Sequence, residues 1–327
     1  MKVRRSIPLG ALVFAVALAV SALSVPAANS VQRDLDLGHA NDALQSLNTF
    51  LGQNPSDAAA HNLRCRVYFQ EQQWDPAIAD CEAAVRLDPD NSGFHLWLGR
   101  AYGRKAEHAS LVASYSLARK VHAEFQTAVQ LNSRSIAALA DLGEFDASAP
   151  LVVGGGTARA EAIVPQLQAL DPAAALLLRS RIAESSRNFA QAEGDLKAAI
   201  SVSSHPADAW MDLAAFYLRR GRIADMVAAA HAGAALDSRH GPALVDGASD
   251  LAQTGSETQT AIHWFQEYLE SSAQSEVAPA FAVRAQLATL LERQGDTQAA
   301  QQQWATVHAL ASGYRPPAGT APTRAGE

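Results

Sequence analysis

Cys65 and Cys81 are the only two cysteines of the chain. In an exported protein an even pair favours a disulfide. The alternative is two buried thiols acting as small apolar side chains. No Cys-x-x-Cys is present, which leaves a redox-active role without support. A second chemistry-bearing set is cationic. Arg66 and Arg100 lie 34 residues apart, Arg181 follows at a similar place, and Arg104, Arg219 and Arg293 stand about one helical turn further on. A guanidinium forms bidentate hydrogen bonds with carboxylates, so such a stripe suits a peptide carboxylate or an acidic partner. The alternative is a solvated face neutralised by neighbours such as Glu184 and Glu292. Asn62, Arg66, Arg100, Arg104, Arg181 and Arg219 are the candidate partner-binding residues.

Other chemistries find little footing. His95, His108, His122 and His231 show none of the spacings of a zinc site, so no metal is expected. Gly154-Gly155-Gly156 precedes a helical segment, where free N–H groups hold anions, but no Lys-Ser/Thr pair follows. A turn needing positive φ is the simpler reading. No Gly-x-Ser-x-Gly lies in a strand–turn–helix setting, and no catalytic residue or cofactor is expected. Net charge is −7 without a long basic stripe, which argues against nucleic acid as a partner.

The elements that hold these residues repeat. Pro55 and Pro89, Ala43 and Ala77, Cys65 and Gly99, Tyr68 and Tyr102, Ser180 and Ala214, and Gly221 and Gly255 are each 34 residues apart. That period, with small residues where helices touch, marks stacked helical hairpins. Hydrophobic residues make up 48% of the 327, enough for a core, and long β-branched alternation is missing. Cys65 and Cys81 fall in one unit, one on each helix. Two insertions interrupt the period. The first, near 105–118, keeps a helical pattern through Leu111, Ala113, Tyr115 and Leu117, which predicts longer helices. The second, near 149–156, carries the three glycines.

The ends differ in kind. Lys2, Arg4 and Arg5 precede an apolar stretch from Ile7 to Val25 and a run of small residues, the layout of a signal peptide over 1–28. The protein is therefore expected to be exported, periplasmic or secreted. An uncleaved segment anchoring it in the membrane is the lesser alternative. From 312 to 327, Pro, Gly, Thr and Ala dominate without periodicity, and a disordered tail is expected.

Leu98-Gly99-Arg100-Ala101-Tyr102, Trp210 through Ala214 with Tyr217, and Trp74, Ala77, Ala84 and Pro89 resemble the tetratricopeptide repeat pattern. The resemblance covers 29–311. It also extends to exported bacterial members carrying an Ala-Pro…Gly-Gly insertion, matched by Ala149-Pro150 and Gly154–Gly156. It implies an all-α fold, a right-handed superhelical solenoid of about eight antiparallel helix pairs. Its concave groove would be lined by the first helix of each pair and would bind a protein or peptide. The expected function is a non-catalytic scaffold or adaptor. The alternative is a small-molecule or substrate-binding accessory of a transport system, using a pocket near the glycine insertion. An assembly subunit whose exposed repeat ends stack on a neighbour is a weaker third class.

Overall fold

The computed structural model describes residues 25–316. Among them lie sixteen α-helices and one short 3-10 turn, Leu151–Val153, with no strand. The helices form eight antiparallel pairs: α1 (Val25–Asp36) with α2 (Ala40–Gln53), α3 (Ala58–Gln70) with α4 (Trp74–Leu87), α5 (Ser92–Glu107) with α6 (Leu111–Leu131), and α7 (Ile136–Ser148) with α8 (Thr157–Leu170). Then follow α9 (Pro172–Ser185) with α10 (Phe189–Val202), α11 (Pro206–Arg219) with α12 (Ile223–Ala234), α13 (Pro242–Thr254) with α14 (Thr258–Glu270), and α15 (Ala280–Arg293) with α16 (Thr297–Leu310). Each pair packs on the next, the arrangement of a helical solenoid.

Local sequence sets the helix ends. The Asp57 carboxylate accepts from the N–H of Ala60 at 2.8 Å, and Asp171 accepts from Ala173 and Ala174 ahead of Pro172 at the first helical position. Fully buried alanines, among them Ala43, Ala77, Ala84, Ala101 and Ala214, let neighbouring helices approach closely. The first insertion lengthens the third pair: α6 spans 21 residues, and Leu111 and Val112 at its start are 75% and 83% exposed. The second insertion is a tight turn. Gly154 and Gly156 have φ of 106° and 138°, and a Cβ on Gly155 would collide with the Ala149 carbonyl. The ring of His122 fills the space beside Gly154.

The described ends meet. Phe281 and Ala285 of α15 and Val307 of α16 share one core with Val31 and Leu35 of α1 and Leu47 of α2. The Asn41 side chain donates to the Ala309 carbonyl at 2.8 Å and accepts from the Ser312 N–H at 3.0 Å. Gly313 N–H donates to the fully buried Glu71 carboxylate, Arg315 N–H donates to the Glu71 carbonyl, and the ring of Tyr314 lies 5.0 Å from that of Phe281. Ordered packing thus runs four residues past the boundary at 311, and the remainder of the expected tail, 317–327, lies outside the described residues. The first and last pairs cover each other, so they are not free stacking surfaces. Of the expected signal segment, residues 1–24 also lie outside the described residues, while Val25 onward is part of α1. No helix among the described residues is long and apolar enough to cross a membrane.

Candidate partner-binding cradle on the inner face

The period of the first helices places the cradle. On α3, Arg66 and Gln70 are four apart. On α5, Trp97, Arg100 and Arg104 follow at spacings of three and four, so each trio or pair shares one helix face. Trp97 is the centre. The Arg66 and Arg100 guanidinium carbons lie 5.3 and 5.0 Å from its ring centroid. Phe69 packs edge-on against both Trp97 and Trp74, at 5.5 and 5.6 Å. Arg104 lies over Trp74, whose other neighbour is the stacked ring of His108. The two tryptophans, Phe69 and the three arginines line a cavity of about 440 Å³. A second cavity of about 260 Å³ shares Phe69, Arg100 and Arg104 and continues towards Asp141, Glu144 and Phe145.

The cations are held by neighbours. Arg66 donates from Nε to Glu276 at 3.1 Å and from Nη2 to Gln32 at 2.8 Å. Arg100 donates through Nε to Asp141 at 2.6 Å, and Arg104 through Nη1 to Glu107 at 2.8 Å. Among the described residues the terminal nitrogens of Arg100 have no hydrogen-bond partner. Arg181 and Arg219 stand apart from this cluster and converge on Glu184, at 3.4 and 2.8 Å. Asn62 is buried, with its amide nitrogen unpaired, and is not on the groove surface. Of the six candidates, three therefore come together. The histidines singled out in the sequence are otherwise engaged: His95 bonds Glu124 and the Pro89 carbonyl, His231 bonds Glu257, and His122 faces Asp146 at 3.5 Å.

Two features were missed by sequence reasoning. The first is a carboxylate wall. Asp208 and Asp212 on α11, with Asp246 and Asp250 on α13, line a cavity of about 320 Å³. Burial and then the neighbouring Asp212, Asp250 and Asp208 push the Asp246 carboxyl up to about 7. Burial likewise raises Asp212 and Asp250 to about 6, against the lowering influence of Arg181 and Arg219 respectively. Two i, i+4 aspartate pairs on first helices were a readable signal. The second is the link between α14 and α15, residues 271–279. Tyr268 pins it: Ser275 N–H donates to the phenol oxygen, which donates to the Ala278 carbonyl at 2.7 Å. Glu276 reaches Arg66, and Gln70 donates to the Glu276 carbonyl at 3.0 Å. Val277, 76% exposed, lines both the arginine cavity and a cavity of about 430 Å³ containing Asp208 and Asp246.

The carboxylate wall predicts a pH dependence. These carboxyls hold their protons more tightly in the folded chain than in the unfolded one. Between about pH 4 and pH 7 the folded state therefore binds more protons, and stability falls as pH rises through that window. Asp246 also reaches water, which screens the effect. Asp246→Asn is expected to gain about 1 kcal/mol at pH 8, raising Tm by roughly 2–4 °C, with a smaller gain at pH 5. Thermal melts of both proteins at the two pH values check this; an equal or larger gain at pH 5 would contradict it.

The tetratricopeptide repeat family model matches residues 30–92 and 177–240. The first span covers most of α1 through α4 and the second most of α9 through α12, so both lie outside the pairs that carry the insertions. Similar solved structures include a thermophilic protein of this repeat class from Thermus thermophilus, 21% identical over 58% of this chain and 99% of that one, with TM-score 0.47. A repeat protein from Parabacteroides merdae is 14% identical over 80% of this chain and 98% of that one, with TM-score 0.47. The C-terminal part of a repeat-containing protein from Cytophaga hutchinsonii is 11% identical over 77% and 97%, with TM-score 0.41. No curated protein matches the sequence.

Proposed function

We propose that this chain, a tetratricopeptide repeat protein, is a non-catalytic scaffold that holds a protein or peptide partner in the cradle formed by α3 and α5. Repeat arrays of this class generally mediate protein–protein interaction and are generally without catalytic activity. The observation that carries the reading is Trp97 flanked by two guanidinium groups at the edge of an open cavity. Aromatic and arginine side chains supply most of the energy at protein interfaces, because they bury large area and pair with carboxylates without losing much freedom. The neighbouring pairs support the shape beforehand, which lowers the cost of ordering on binding.

The small-molecule alternative places its pocket near the glycine insertion, where His122 and the Ala149 carbonyl take the space beside Gly154 and Gly155, and the arginine–tryptophan cradle favours the first reading. We also read the protein as exported to the periplasm. The signal-like layout of residues 1–28 supports this, and so does the Cys65–Cys81 disulfide, which persists in oxidising compartments.

The test is a photo-crosslinking residue in place of Phe69, with full-length protein expressed in its own host. A partner should be captured there, and Arg100→Glu with Arg104→Glu should reduce capture at least tenfold. Arg66 is left intact because its pair with Glu276 also ties α3 to the link between α14 and α15. Undiminished capture in the double variant would reject the cradle as the binding site.

A further inference from the structure

The two insertions that break the repeat period meet on one edge of the array. Gly99 faces Phe125 and Gly103 faces Val121, and by that register the end of α5 at Glu107 stands beside Leu117. Residues 111–116 of α6 therefore run past their partner helix. Leu111, Val112, Ala113, Tyr115 and Ser116 are all exposed there. Leu111, Tyr115 and His122 follow at spacings of four and seven, so they share one stripe of α6. His122 fills the space beside Gly154, so that stripe looks towards the second insertion. The Leu151–Val153 turn packs on α6 and buries Val153, yet Leu151 and Val152 are 78% and 66% exposed. Five large apolar side chains thus protrude from the turns of two consecutive helix pairs: Leu111, Val112, Tyr115, Leu151 and Val152.

Their surroundings are cationic. The chain has 33 Asp and Glu residues, but 108–123 and 147–160 contain none and carry Arg119, Lys120 and Arg159. Arg119 is exposed, without an ion-pair partner among the described residues, and stands four positions on from Tyr115 and seven from Val112. Lys120 is exposed and reaches Glu82 only at 4.0 Å. Arg159 is exposed too, with one nitrogen donating to the Gly154 carbonyl at 2.7 Å. The flanking acids are turned elsewhere. Glu107 accepts from Arg104, Asp146 is buried facing His122, and Glu161 lines a cavity with Arg179.

We infer that this edge rests on an anionic lipid surface. The five apolar side chains enter the headgroup boundary, and Arg119, Lys120 and Arg159 meet lipid phosphates. Apolar tips that stand out from a helix end and a turn need no matching contour in a fluid interface, where tyrosine keeps its hydroxyl at headgroup level. Each basic residue near such a surface adds attraction that a chain of net charge −7 would otherwise lack. The inference goes beyond the scaffold reading and does not depend on the cradle: it would hold the array by its turn edge and leave the inner face open.

Hydrogen exchange of the full-length protein tests this, with vesicles of equal phosphatidylglycerol and phosphatidylcholine and with phosphatidylcholine alone. Amides of 112–116 and 151–156 should exchange about fivefold or more slowly with the anionic vesicles and at the free rate with the neutral ones. Leu111→Ser, Val112→Ser and Leu151→Ser together should remove that protection. Arg119→Gln with Lys120→Gln should weaken vesicle binding about tenfold. All five positions are exposed, so both variants should melt at the wild-type temperature. Vesicle binding that leaves these amides unprotected would place the contact elsewhere, the apolar stretch 7–25 included, and overturn the inference. Protection that grows with protein concentration in the absence of lipid would assign the edge to a second copy. Equal protection by polyglutamate would assign it to an acidic protein. Either result would overturn the lipid reading, as would no binding to the anionic vesicles.

Discussion

Replacing Cys65 and Cys81 with alanine is expected to cost about 3 kcal/mol and lower Tm by roughly 6–10 °C. The two sulfurs are bonded, their Cα atoms are 5.4 Å apart, and the residues are separated by 16 positions. Both are fully buried between α3 and α4. A cross-link over a loop of that length removes denatured-state freedom worth about 3 kcal/mol on the chain-entropy account. Alanine keeps the helices but also leaves two small voids, which adds to the loss. The effect should be reproduced by reductant in the wild type and be absent on adding reductant to the double variant. Alkylation followed by intact mass should find no free thiol in the oxidised protein. A double variant melting within about 2 °C of wild type would show that α3 and α4 hold without the bond. Because α3 also carries Arg66, Phe69 and Gln70, loosening this pair should weaken partner capture at Phe69 before the whole array unfolds.

Gly38→Val should open the closure between the first and last pairs. Gly38 has φ of 68°, a region costly for a β-branched residue, and a Cβ there would lie 2.6 Å from the Ala280 amide nitrogen. The obstacle is backbone, which cannot rotate aside as a side chain can. The expected cost is about 3 kcal/mol, of which about 1–2 is the backbone conformation alone. Gly221→Val separates the two contributions. Its φ is 69°, and nothing lies within 4 Å of its added Cβ. Small-angle scattering should show a larger radius of gyration for Gly38→Val and an unchanged one for Gly221→Val. Equal radii for all three proteins would mean that the contact between the α1–α2 turn and the start of α15 is not what closes the array.

The two experiments probe features of unlike origin. The disulfide belongs to one hairpin, and its partners lie within a single repeat period. The closure joins Asn41 to Ala309 and Arg66 to Glu276, pairs separated by more than two hundred positions. The cradle is intermediate. Arg66, Arg100 and Arg104 were readable because a period of about 34 residues puts equivalent positions on one face. Trp97 stands out only in the packed structure, as the group on which two arginines rest. Asn62 shares the helix of Arg66, yet it lies on the buried side. Helical spacing says which residues share a face, and the neighbouring pair decides whether that face is covered.

Sequence alone determined the hairpin unit, the number of pairs, the pairing of the cysteines as the favoured state and the helical nature of the first insertion. These are short-range matters, settled by capping residues, apolar spacing and small side chains within a few tens of residues. Tertiary structure alone decided that the last pair returns to the first, that Glu276 takes Arg66, that Val277 stands between arginines and aspartates, and that packed chain continues to Arg315. The reason is accumulation. Each repeat turns a little against the next by an amount fixed by side-chain packing at that contact, and only the sum over eight pairs places one end against the other.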